Sequence, residues 1–397
     1  MGQLRTGRGS SEHDDAVTAG DEAARAALDA LGDTEPALVF VYSSVRYDLG
    51  AVLGAVRART GDTPLLGGST SGHFHDGVLT APGRGVAVMV LGAGPYRFGV
   101  GSATGLRVAP NDVGASIVRR ARAALTEPLL DHAALVVISC GLTGDQQQLI
   151  SGVYRVAGAA VPVVGGAASD DRHMRETFVF HDGRVLRDAA VAVWVDSGHP
   201  LAVVRGHGWR PLGFPLPVTG VEGMVVRTID GRPASEVFLE TVASGDRASL
   251  GSGRTAPGAG DEPLLLGEAG RCFGLIEPDG SRRIRGAFLG PDGEMNTWVP
   301  LPPYSAVQVM SCTQDDLLDG CDDVPLRAFA GRTSSVLLAF SCVARLRILG
   351  DRAAEEAERL QSAAGRVPTF GFYTYGEFAR TTSVDGVHNA TVTALAL

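Results

Sequence analysis

The 397-residue chain lacks the features that mark several large functional classes. It carries only 35 Lys plus Arg against 44 Asp plus Glu, a formal charge of −9, and so has no basic excess with which to neutralise a phosphate backbone. Nucleic-acid binding is not expected. The five cysteines (Cys140, Cys272, Cys312, Cys321 and Cys342) are odd in number and irregularly spaced, and no CxxC pair occurs. This pattern points to reduced thiols and away from a disulfide framework or a structural zinc site. Long hydrophobic runs are also missing. The longest, such as Ala189 to Val195, are of strand length and fall short of the ~20 residues of a membrane helix. No membrane span is expected. The first fifteen residues (MGQLRTGRGSSEHDD) hold charges and no apolar segment, unlike a secretory signal. Residues 1–20 therefore read as a flexible tail, and the protein as cytoplasmic.

What the chain does have is 45% hydrophobic residues, a mean hydropathy of +0.11, and a threefold recurrence. An apolar run ends in a small polar pair, a helix-like stretch follows, and then comes Pro-x-x-Gly. The first copy is Ala37 to Ser44 with Pro64 to Gly68; the second is Ala134 to Cys140 with Pro162 to Gly166; the third is Ser335 to Cys342 with Pro368 to Phe372. From the first Ser of the polar pair to the first Gly the gaps are 24 (43 to 67), 26 (139 to 165) and 30 (341 to 371), enough for a strand end, a helix and the next strand. Leu49, Val52, Leu53 and Val56 have helical spacing, as do Val113, Ile117, Ala121 and Leu125 after a candidate N-cap at Asp112. Asp21 to Leu31 reads as the first ordered helix, and Asp351 to Ala364 as the helix of the third copy, with Ala354, Ala357 and Leu360 inward. Asp76-Gly77 and Asp182-Gly183, each followed by an extended run, are hairpin signals. From Arg210 to Met310 the pattern is strand-like, and Ser252 to Asp261 reads as an exposed loop. The expected fold is mixed α/β (α+β), with two domains at 21–200 and 201–397 whose mixed sheets are flanked by helices.

In such sheets, ligands gather where strand carboxyl ends meet helix N-termini. Ser43-Ser44, Ser139-Cys140 and Ser341-Cys342 sit at those ends, and the glycines Gly67 and Gly165 allow close backbone approach. Cys342 and Arg345 form Ser-Cys-x-x-Arg, in which the guanidinium could hold a carboxylate or lower a thiol pKa. Tyr373, Tyr375 and Glu377, followed by His388-Asn389, offer charge and hydrogen bonds to an amine or zwitterion, or else satisfy one another in a polar core. Cys342, His388 and Glu377 are also the residue types of a nucleophile, base and orienter. His73-x-His75 places two imidazoles on one face, a metal or haem contact without an identifiable third ligand. Gly67-Gly68-x-x-x-Gly72 lacks the lysine of a phosphate loop.

Several of these segments resemble the FIST family, which pairs N-terminal and C-terminal FIST domains in prokaryotic signal-transduction proteins and some eukaryotic F-box proteins. They are PLLGGSTSG (64–72), PVVGGAASD (162–170), TFVFHDGRV (177–185), DGRPA (230–234), FSCVAR (340–345), GFYTYGE (371–377) and HNAT (388–391). Leu346 stands where the family usually has Gly. The resemblance implies a sensory role and the binding of small ligands, amino acids among them, with haem and nitric oxide linked to some members. The resulting expectation is a small polar ligand held between two domains. Arg345, Cys342, Tyr373, Tyr375, Glu377, His388 and Asn389 would lie on one side, with Ser139, Gly67, Ser69 and Gly165 on the other. With no fused output domain recognised, a separate signalling protein is the expected partner. Binding rather than turnover is expected. The alternatives are a thiol-dependent hydrolase using Cys342 and His388, and a haem-binding gas sensor; no cofactor is otherwise implied.

Overall fold

Each copy of the recurrence folds into the same succession of elements in the computed structural model, which describes residues 4–125, 128–248, 264–380 and 386–397. The first unit runs from a leading strand (Thr6–Ser11) through helix Ala16–Leu31, inner strand Pro36–Ser43, helix Leu49–Thr60, inner strand Leu65–Ser69 and hairpin His73–His75/Val78–Thr80 to a closing strand, Val86–Gly92. The second unit repeats it: Tyr96–Thr104, helix Pro110–Ala123, His132–Cys140, helix Gln146–Ala157, Val163–Ala168, hairpin Val179–His181/Arg184–Leu186 and Ala189–Ser197. The third starts with strand Ala202–Gly206 and is interrupted by an inserted nine-stranded sheet between Arg210 and Ser311. It resumes with helix Gln314–Phe329, strand Leu337–Cys342, helices Val343–Leu349 and Ala353–Ala364, strand Thr369–Thr374, hairpin Glu377–Arg380/Val387–His388 and closing strand Val392–Ala396. The fold is thus mixed α/β, built from strand–helix–strand units with hairpins.

No unit keeps its own hairpin. The first unit's hairpin pairs with Thr369–Thr374 of the third, the second's with Leu65–Ser69 of the first, and the third's with Val163–Ala168 of the second. The exchange closes a ring, and all three six-stranded sheets have the same order: leading, closing, first inner, second inner, borrowed hairpin. The inner strands are parallel, with Val41 opposite Gly67, Val137 opposite Gly165 and Ala339 opposite Gly371. Each of these glycines also faces a phenylalanine of the borrowed hairpin: Phe180, Phe378 and Phe74. A Cβ at Gly67 would stand 1.8 Å from the Val41 carbonyl oxygen, at Gly165 1.9 Å from that of Val137, and at Gly371 2.1 Å from that of Ala339. The first glycine of each Pro-x-x-Gly therefore exists for close approach.

The inward faces of the three sheets share one core, in which Tyr42 of the first packs 4.3 Å (centroid to centroid) from Phe372 of the third. Helices cover the outer faces, as where Ala19, Ala23 and Ala27 pack on Val39 and Val88. Burying an aromatic or aliphatic side chain of this kind contributes roughly 2 kcal/mol.

Several expectations are corrected. The segment taken for a tail (1–20) contributes strand Thr6–Ser11, because Gly7 and Gly9 let it lie directly against helix Ala16–Leu31, whose N-cap is Asp15. Asp112 lies inside the first turn rather than at the cap, since Pro110 already supplies the helix start. In helix Ala353–Ala364 the inward residues are Glu356, Ala357, Leu360 and Ala364, while Ala354 is exposed. The strand-like stretch from Arg210 contains helix Ala234–Ala248. The expected loop Ser252 to Asp261 lies outside the described residues. Among the described residues no helix is long and apolar enough to cross a membrane, and all five cysteines are buried free thiols.

Candidate functional site

The expected site residues fall into three buried groups. Arg345 is fully buried at the start of helix Val343–Leu349. Its Nε donates to Glu356 (2.9 Å), Nη1 to the His207 carbonyl (3.0 Å), and Nη2 to the Leu317 carbonyl (3.0 Å) and Cys321 Sγ (2.9 Å). The second Glu356 oxygen accepts from Ser341 (2.5 Å), and the buried ring of Tyr373 lies against the same pair. A second group surrounds Glu377, whose carboxyl accepts from Thr374 Oγ1 (2.7 Å), Thr391 Oγ1 (2.8 Å) and the Thr391 amide (3.1 Å). Burial pushes Glu377 up to about 7, and burial followed by the Glu377 charge pushes the adjacent Cys342 thiol well above its ordinary value. A thiol so placed is protonated at neutral pH and is a poor nucleophile.

His388 lies opposite Glu377 across the hairpin, but its Nε2 is 2.9 Å from the Ala379 carbonyl. Burial, then the charges of Arg205, Arg283 and Arg285, hold it well below its ordinary pKa. The Asn389 side-chain oxygen accepts from the Gly286 amide of the inserted sheet (3.3 Å). The third group is at the junction of the units. Tyr375 donates to Asp170; Ser69 Oγ accepts from the Phe178 amide (3.0 Å), and Ser139 donates to Gln146 (2.6 Å). The structure thus brings Cys342 to Glu377 and Tyr373 to Arg345, while Ser69, Ser139 and Tyr375 are engaged elsewhere.

His207, whose carbonyl Arg345 holds, lines open space. A cleft of about 530 Å³ lies between helix Gln314–Phe329, the turn that leaves strand Ala202–Gly206 and the inserted sheet. The turn is pressed onto the helix: a Cβ at Gly208, where φ is +81°, would meet the Asp316 carbonyl oxygen at 2.0 Å. The helix begins with a Thr313/Asp316 capping box and presents Asp316, Asp319, Asp323 and Arg327 toward the cleft. The cleft is also lined by Arg205 from strand Ala202–Gly206, His207 from the turn, and Arg210 and Arg282 from the insertion.

Asp316 pairs with Arg210, and Asp319 with Arg359 at 2.6 Å. Arg205 donates to Ser281 (3.1 Å), and Arg327 to the Arg205 carbonyl (3.0 Å). Burial, and then the like charge of Arg283, lowers the Arg205 pKa. His207 is pushed down to about 4 by burial and by Arg345, Arg205, Arg282 and Arg327. Asp316 offsets Arg210, and Glu277 and Asp279 partly offset Arg205, so the cleft lining interleaves arginines with carboxylates. Such a mixed lining matches a small molecule carrying both signs. Sequence reasoning missed these residues; the helical spacing of Asp316, Asp319, Asp323 and Arg327 was the available signal. Among the described residues no group of three or more His, Cys, Asp or Glu side chains could hold a metal, so His73 and His75 gain no third ligand.

The FIST N domain model matches residues 37–232 and the FIST C domain model residues 234–380. The chain belongs to the FIST family. An uncharacterised protein of Mycobacterium bovis is 30% identical over 241 residues, which is 58% of this chain and 58% of that protein. One of Mycobacterium tuberculosis is 29% identical over 244 residues, 58% of this chain and 59% of its own length. This FIST protein therefore matches less than two thirds of these relatives. A solved structure, cyanuric acid hydrolase from A. caulinodans, aligns over 100% of this chain and 99% of that one, with 12% identity and a TM-score of 0.35.

Proposed function

We propose that this FIST protein is a sensory component of signal transduction that binds a small polar ligand, such as an amino acid, in the cleft between helix Gln314–Phe329 and the inserted sheet. The observation that carries the reading is the cleft of about 530 Å³ lined by both arginines and aspartates. The ligand's carboxylate goes to Arg205, Arg282 and Arg327; its ammonium goes toward Asp319 and Asp323. Arg345 is a positioning residue, because it ties the His207 carbonyl to the Leu317 carbonyl beneath the cleft. Closure of the insertion onto the helix would then transmit occupancy to a separate signalling partner.

The test is a thermal-shift and calorimetric screen of the twenty amino acids against the full chain. A ligand at 100 times its Kd should stabilise the protein by about 2.7 kcal/mol. Arg205→Gln should abolish that shift without lowering the unliganded midpoint. A panel without any shift, or a shift that survives Arg205→Gln, would sink the proposal.

A further inference from the structure

A second cavity, of about 290 Å³, lies far from the cleft in sequence, where the leading strand and first helix of the second unit meet that unit's own exchanged hairpin. Ser102, Arg120, His181 and Arg184 line it together with Leu186 and the backbone around Gly101. Its hydrogen bonding has too many donors. Ser102 Oγ lies 2.7 Å from His181 Nδ1, and Arg184 Nη2 lies 3.0 Å from the same nitrogen. A neutral imidazole offers one lone pair there, so it cannot satisfy both. Arg120 adds a further cation; its Nη1 donates to the Ser102 carbonyl at 2.5 Å. Among the described residues neither Arg120 nor Arg184 forms an ion pair, and no carboxylate lines the cavity.

The first unit supplies an internal comparison. Its leading strand meets its own hairpin in the same way, with Ser10 Oγ 2.9 Å from His75 Nε2. There the nearby cation is neutralised: Arg8 Nε bonds both Asp76 oxygens, at 3.0 and 2.9 Å. In the second unit the corresponding Asp182 lies 3.5 Å from His181 Nε2, does not line the cavity, and pairs with neither Arg120 nor Arg184. Burial, then Arg184 and Arg120, lower the His181 pKa against the opposing pull of Asp182.

We propose that this cavity is a binding site for a small oxyanion, a carboxylate or phosphate group held by Arg120, Arg184, Ser102 and His181. The anion supplies the missing acceptors: Arg184 and the Ser102 hydroxyl turn to its oxygens. The imidazole is then free to take a proton on Nδ1 and donate as well. The space beyond the charged group, bounded by Leu186 and Val100, leaves room for a few carbon atoms, so a small organic acid or phosphomonoester fits.

The experiment is isothermal titration of the full chain with inorganic phosphate and, separately, with malonate at matched ionic strength. Saturable one-to-one binding by either is the expected result, and the tighter of the two identifies the headgroup. Arg184→Gln should weaken it by about tenfold or more, as loss of a charge-assisted hydrogen bond does. Arg184 is exposed, so the variant should keep the wild-type melting temperature. Arg205→Gln, in the other cleft, should leave the anion affinity unchanged, which separates this proposal from the sensory reading. Absence of saturation with both anions, or an affinity that Arg184→Gln leaves intact, overturns it.

Discussion

Glu377 is fully buried, and its carboxyl titrates near 7 instead of near 4.5 because burial penalises the charge. The folded state therefore keeps its proton across a range in which the unfolded chain releases it. The resulting stability is complete below about pH 4.5 and is lost as pH rises through about 7, an effect on the order of 3 kcal/mol. Glu377→Gln should remove it. Measured by melting temperature against pH, the variant should gain on the wild type progressively from pH 4.5 to 8; parallel curves would contradict the assignment. His73 acts in the opposite sense. It is buried with neither ring nitrogen hydrogen-bonded, and its pKa is pushed down to about 3, so it destabilises the fold as pH falls below about 6.5. Subtracting one curve from the other cancels that contribution. The chemical weight of Glu377, Cys342 and Arg345 was legible in the sequence because they stand in short dense motifs. Their partners were not: Glu356 and Cys321 come from other helices, and the cleft draws Arg205, Arg282 and Asp323 from three separate segments.

At the scale of elements, the decisive contact is a glycine wedged between a parallel neighbour and a borrowed phenylalanine. Gly165 has φ of +141° and no room for a Cβ beside the Val137 carbonyl. Gly165→Ala should destabilise by more than about 3 kcal/mol, combining backbone strain with overpacking. Chemical denaturation should show an earlier midpoint, whereas Gly54→Ala, inside helix Leu49–Thr60 at an ordinary helical φ with open space around it, should lose nothing. The hairpins were legible locally: Asp76-Gly77 takes positive φ at both turn residues, and Asp182 takes it at the first residue of Asp182-Gly183. Which sheet each hairpin joins was not legible, because that pairing links residues as distant as Phe74 and Gly371. The helix Ala234–Ala248 was hidden for a different reason: strands Val225–Ile229 and Arg232–Pro233, with the Asp230-Gly231 turn between them, run straight into it.

For the molecule as a whole, the ring of exchanged hairpins predicts that the two halves of the chain depend on each other. A fragment ending at Pro200 would leave strand Val163–Ala168 without the hairpin Glu377–Arg380/Val387–His388 and would leave its own hairpin His73–His75/Val78–Thr80 with no sheet to join. Size-exclusion chromatography of that fragment alone should give aggregate, with monomeric material recovered on co-expression with residues 201–397. A fragment that is monomeric and melts cooperatively would contradict the dependence.

The same ring has a consequence in time. Synthesis proceeds from the N-terminus, so the edge at Val163–Ala168 emerges from the ribosome long before Glu377 is made to cover it. His73–His75 likewise waits for Thr369–Thr374. Through most of translation the nascent chain therefore presents unpaired strand edges and an apolar core open on one side, a state that invites capture by neighbouring nascent chains.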